Sequence, residues 1–180
     1  MKKATDTPDI VKLFHTKKPK TLRAITRLGF SLNLIGIGLY RNVYRIVDTD
    51  YIVKLPKNAD PDGIEHAKYE YDAQALIRSQ RKYRILWKYM PDVSYYDETA
   101  GITLMPYYKP VDIGTKQARQ LGCALAGAML DVFKLVWKVN PGRSLDIHDG
   151  NIGLTKDGMP VMIDMGYFLD PNQTIPHGNS

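Results

Sequence analysis

Alternation of apolar and polar positions divides the first half of the chain into short strands. Residues 34–47 read as strand, glycine turn and strand, with Val43, Arg45 and Val47 alternating against Tyr44 and Ile46. Asp48-Thr49-Asp50 then turns the chain into Tyr51-Ile52-Val53-Lys54-Leu55, which ends at Pro56. From Gly63 to Gln80 the spacing becomes helical, with Ile64, Ala67, Tyr71, Ala75 and Leu76 on one stripe and charge on the others. Residues 85–90 and 101–105 are further strand-like runs, separated by a polar turn around Asp97-Glu98-Thr99, which gives the order β-β-β-α-β-β. After a connector at 106–110, residues 115–139 form a long apolar helix stopped by Asn140-Pro141-Gly142. Residues 152–154 and 161–163 are two short strands joined by the Lys156-Asp157-Gly158 turn.

Composition narrows this picture. A chain of 180 residues with 44% hydrophobic content supports one folding unit, at most divided into two small lobes. No apolar run approaches the ~20 residues that span a bilayer, and the opening MKKATDTPDI lacks a secretory core, so a soluble cytoplasmic protein with no membrane partner is expected. Cys123 is the single cysteine and reads as a small packing residue. The net charge of +6 is confined to residues 1–30, which hold eight Lys/Arg and two Asp/Glu and leave seventeen of each sign elsewhere. That segment reads as a basic N-terminal extension with a solvated helix face. Together with Arg78, Arg81, Lys82, Tyr83, Arg84, Trp87 and Lys88 it offers a polyanion surface, but the neutral remainder makes nucleic acid an unexpected partner.

Charged residues inside apolar runs carry the chemistry. Lys54 shares a strand face with Ile52, opposite Val53 and Leu55; a buried lysine there needs an anion. Glu70, sixteen residues on and near the middle of the helix, is the candidate partner, with Glu65 as competitor. A strand lysine facing water is the competing reading. Gly36 and Gly38 either allow positive φ in a hairpin or leave backbone open to phosphate oxygens. Further on, Asp146, Asn151 and Asp164 supply a proton-accepting carboxylate, an amide carbonyl and a second carboxylate, the hard oxygen set that Mg²⁺-dependent phosphoryl transfer uses. His15, His66, His148 and His177 show no zinc-type spacing.

In this order the motifs resemble the protein-kinase-like superfamily, including its aminoglycoside and choline kinase branch, over about residues 34–168. Gly36-Ile37-Gly38-Leu39-Tyr40-Arg41-Asn42-Val43 looks like the glycine-rich loop, with Arg41 in place of the third glycine, which implies an added phosphate-binding cation or a stiffer loop. Tyr51-Ile52-Val53-Lys54 looks like the V-A-I-K strand, with Ile52 over adenine and Lys54 on the α- and β-phosphates. Met105-Pro106-Tyr107-Tyr108 stands at the hinge, where the Pro106 carbonyl and Tyr108 N–H would meet adenine. Asp146 to Asn151 is similar to the D-x-H-x-G-N catalytic loop of small-molecule kinases, and Asp164-Met165-Gly166 stands in for D-F-G. Fourteen residues follow Gly166, without an A-P-E motif, a brevity shared with small kinase-like chains of tailed phages.

The resemblance implies an α+β bilobal fold: a basic extension at 1–30, an N-lobe at 31–107 with an antiparallel five-stranded sheet and one helix, and a reduced, mainly helical C-lobe at 108–180. It implies ATP and Mg²⁺ as cofactors and a hydroxyl acceptor, protein Ser/Thr or a small alcohol, with a homodimer as one way to complete the small C-lobe. Its alternatives are a nucleotide-binding pseudokinase acting through protein contacts and a small-molecule kinase.

Overall fold

The computed structural model describes residues 9–79, 81–111 and 151–164. The chain divides into two compact units, one comprising the described residues up to Gln74 with Pro91–Tyr107, the other Ala75–Met90 and the described residues from Tyr108 onward. The first unit is α+β. Two short helices, α1 (Ile10–Lys17) and α2 (Leu22–Arg27), precede strands β1 (Leu32–Ile37), β2 (Arg41–Ile46) and β3 (Tyr51–Pro56). Helix α3 (Pro61–Ser79) follows, then β4 (Tyr95–Asp97) and β5 (Ile102–Pro106). The five strands form one antiparallel sheet in the order β1-β2-β3-β5-β4.

The sheet's two faces do different work because side chains alternate along each strand. Val53, Leu55, Ile102, Leu104 and Tyr95 join Ile10, Phe14 and Ile25 in one apolar core, with Tyr51 half-buried against it. Phe14 is fully buried, its ring edge-on to Tyr95 at 5.5 Å between centroids, and His15 Nε2 donates to the Ser94 carbonyl at 3.0 Å. Residues 9–30 of the segment expected as a basic extension are therefore a packing layer. Its described lysines and arginines, from Lys12 to Arg27, are exposed, while the i and i+4 residues Ile10 and Phe14 point inward. Asp9 and Thr21 cap the two helices by accepting from Lys12 N–H and Ala24 N–H.

The other face of the sheet carries Lys54, whose ion-pair partner Glu70 lies on α3. Among the described side chains of that helix Ala67, Glu70 and Gln74 are buried, whereas Tyr71 and Ala75, expected inward, are exposed. Two polar side chains go inside because buried groups await them: Glu70 meets cations, and Gln74 Oε1 accepts the Val93 N–H at 2.8 Å. The first turn of α3 sits tightly on the sheet. A side chain at Gly63 would meet Pro56 Cβ at 2.9 Å, and one at Gly101, whose φ is +61°, would meet Ile64 Cα at 2.7 Å.

One strand lies elsewhere than its sequence suggests. Of residues 85–90, expected as the fourth strand, 85–89 belong to a 3₁₀ helix (Arg81–Tyr89), and the strand is β4. The apolar residues of 85–90 come as a block rather than alternating, which gives a sheet no buried face to select. Asp97 ends β4 by accepting from the Thr99 and Ala100 backbone N–H groups and the Thr99 hydroxyl at 2.8–3.0 Å. In the second unit β6 (Lys109–Pro110), β7 (Ile152–Leu154) and β8 (Pro160–Met162) form an antiparallel sheet on which the 3₁₀ helix packs. The helix expected at 115–139 and Asp146 lie outside the described residues.

Phe14→Ala is expected to cost about 3–5 kcal/mol in urea unfolding, an effect a detached extension would not produce. Burial pushes Asp97 upward, but the Thr99 and Ala100 hydrogen bonds and the charge of Lys20 outweigh it and hold the carboxyl below its ordinary 3.8. A depressed carboxyl contributes stability above its unfolded value and loses it as pH falls through the folded one. Asp97→Asn should therefore cost about 1 kcal/mol at neutral pH, and urea midpoints should show that gap closing below pH 3.8.

Candidate functional site

Strand register brings the sequence candidates of the first unit into cross-strand rows. Gly36 stands opposite Val43, Val43 opposite Lys54, and Lys54 opposite Thr103. The next row on that face holds Arg45, Ile52 and Met105. Opposed residues share a face, so Val43, Ile52 and Lys54 lie together, with Arg41 two residues before Val43 on β2.

Lys54 is only 4% exposed, and its Nζ donates to Glu70 Oε1 at 2.6 Å. Glu65 is exposed. The second oxygen of the same carboxylate, Glu70 Oε2, accepts from Arg41 Nη1 at 2.7 Å, with Arg41 also buried. One fully buried carboxylate thus takes charge-assisted hydrogen bonds from cations on two neighbouring strands. The Lys54–Glu70 pair was legible from sequence, but the Arg41–Glu70 contact was not. Its only signal was an arginine opening a strand otherwise built of half-buried and apolar positions.

The glycine turn joins β1 to β2. A register shift falls between Leu34 and Gly36, and Gly38 N–H donates to the Arg41 carbonyl at 2.9 Å. Neither Gly36 nor Gly38 has positive φ, so a left-handed hairpin does not explain these glycines. Around them Ile37 and Leu39 are 70% and 72% exposed. At the far end of the sheet Pro106 stands opposite Tyr51, and Tyr107 N–H donates to the Asp50 carbonyl at 2.7 Å. The Arg45 guanidinium lies 4.0 Å over the centre of the Tyr107 ring, a contact that sequence reading did not anticipate.

In the second unit Tyr108 is half-buried just before β6. Pairing of Ile152 with Met162 extends through an Ile163 N–H bond to the Asn151 carbonyl at 2.8 Å. Asn151 and Asp164 thereby end up at the same end of the β7–β8 hairpin, both half-buried. Among the described residues no three His, Cys, Asp or Glu side chains form a metal-binding group; an amide carbonyl beside one carboxylate is a different donor set. Among the described residues no helix is long and apolar enough to cross a membrane.

No protein-family model matches this chain, and no curated protein matches it. Function therefore rests on the geometry.

Removing the shared anion should be costly. Glu70→Ala takes the shared carboxylate from two buried cations and is expected to cost about 3–5 kcal/mol by urea unfolding. Replacing Arg41, Lys54 and Glu70 together with methionine should recover most of that loss, because the two buried cations are removed along with the anion.

Proposed function

We propose that the chain is an ATP- and Mg²⁺-dependent phosphotransferase that passes the γ-phosphate to a hydroxyl acceptor, most simply a protein Ser/Thr. The observation that carries this reading is the lysine of β3, buried and gripped by the α3 glutamate, on the same sheet face as Val43 and next to a glycine turn whose glycines are not needed for positive φ. Burying an ammonium–carboxylate pair is expensive and contributes little net stability, so the pair is better explained by what it positions.

In this reading Lys54 binds the α- and β-phosphates, Glu70 holds it in place, and the backbone at Gly36 and Gly38 allows close approach of the phosphates. Val43 and Ile52 supply an apolar surface for the base, and Pro106 and Tyr108 supply the backbone groups that meet its edge. Asn151 and Asp164 are hard oxygen donors suited to Mg²⁺, and when bound that ion would neutralise charge on the phosphates. Asp146 receives the proton of the acceptor hydroxyl while the acceptor oxygen bonds to the γ-phosphorus and the bond to the bridging oxygen breaks, leaving ADP.

A second reading, a nucleotide-binding module without transfer, is favoured by Arg41 standing where the superfamily's loop has its third glycine.

Mg²⁺-ATP is expected to raise the melting temperature in a concentration-dependent way, and Asp164→Ala should abolish the Mg²⁺-dependent part. Labelling with [γ-³²P]ATP should transfer phosphate in the wild type and fail in Asp146→Asn while stabilisation persists. Stabilisation without transfer in the wild type selects the second reading, and absence of both removes the proposal.

A further inference from the structure

The geometry points to Arg41 as a positioning residue that latches the glycine turn to α3 and, through Glu70, to Lys54. Its functional consequence rests on the nucleotide-binding reading of Lys54 given above. Arg41 is held at both its ends. The Arg41 carbonyl accepts the Gly38 N–H at 2.9 Å and closes the turn, while its guanidinium donates to Glu70 Oε2 at 2.7 Å. Glu70 Oε1 in turn receives the Lys54 ammonium at 2.6 Å.

A glutamate carboxylate is a nearly two-fold rotor about its last torsion. A cation on one oxygen leaves that torsion loosely set, whereas two cations arriving from different strands fix its plane. Lysine at position 41 would keep the charge with a single point contact, and methionine would keep the packing stem while removing the bond. The consequence is a turn held by a buried ionic tie instead of moving freely over the sheet. A displacement at the turn is carried to the carboxylate that presents Lys54. This differs from direct phosphate contact by Arg41, since on the latch reading Arg41 acts on Lys54 through Glu70 and not on the phosphates themselves.

The test compares wild type, Arg41→Met and Arg41→Lys, and repeats the methionine change in a Glu70→Gln background. Without nucleotide, hydrogen exchange of peptides covering residues 36–42 and 66–74 should accelerate in Arg41→Met relative to peptides from β5, and be largely restored in Arg41→Lys. No acceleration in the 66–74 peptide would overturn the latch. With Mg²⁺-ATP, apparent affinity from thermal shift should weaken about tenfold or more in Arg41→Met, as expected for losing one charge-assisted hydrogen bond. The same change should have almost no further effect once Glu70 is glutamine. An equal loss in both backgrounds would mean direct phosphate contact and would also overturn the latch. Should the wild type show no stabilisation by Mg²⁺-ATP, the nucleotide reading fails while the exchange experiment still decides whether the latch exists.

Discussion

A carboxylate with no access to water must find its hydrogen-bond donors inside the protein, and Glu70 finds two. This requirement organises the first unit. It demands that β2 and β3 lie side by side in a register bringing Arg41 and Lys54 to one face, and that α3 cross that face with position 70 turned inward. Apolar patterning alone would turn Tyr71 and Ala75 inward, but the ionic tie and the Gln74–Val93 bond bring Glu70 and Gln74 to the buried side instead. Electrostatic satisfaction outweighs apolar patterning here because an unpaired buried charge costs more than an exposed tyrosine ring.

The opposite face is governed by area instead of charge. With Lys54 and its neighbours committed to α3, Val53, Leu55, Ile102 and Leu104 need another cover, and α1 and α2 provide it through Ile10, Phe14 and Ile25. The exposed cations of these helices keep that thin layer soluble on its outer side. The sheet is thus a partition between an apolar core and a polar, chemically equipped face, and the alternation of a few residues in β3 serves both.

Strands β1, β2, β3 and β5 were legible as short apolar runs bounded by glycine, aspartate or proline turns, and the Lys54–Glu70 pair because a lysine, once buried in a strand, needs an anion. Elsewhere local signals misled. The apolar block at 85–90 resembled a strand more than the three residues of β4 did, since β4 is defined by its pairing with β5 and by the Asp97 turn, which are not local properties. The packing role of α1 was hidden by lysines as numerous as its inward residues. Arg41 was read through the loop it belongs to, whereas its side chain answers to a helix residue 29 positions later. Asn151 and Asp164 were read as a pair from spacing, and the β7–β8 register explains why that spacing brings them level.

The tight fit at Gly63 and Gly101, where an added side chain would collide with Pro56 and Ile64, fixes the first turn of α3. Glu70 stands six residues beyond Ile64, about 9 Å along the helix axis at ~1.5 Å per residue. The helix is therefore a lever with its fulcrum at the sheet. A tilt of about 6° about that fulcrum moves the carboxylate by about 1 Å, by the same helix geometry, enough to turn a 2.6 Å contact with Lys54 into a broken one. Small rotations of α3 would therefore be amplified into making or losing the tie.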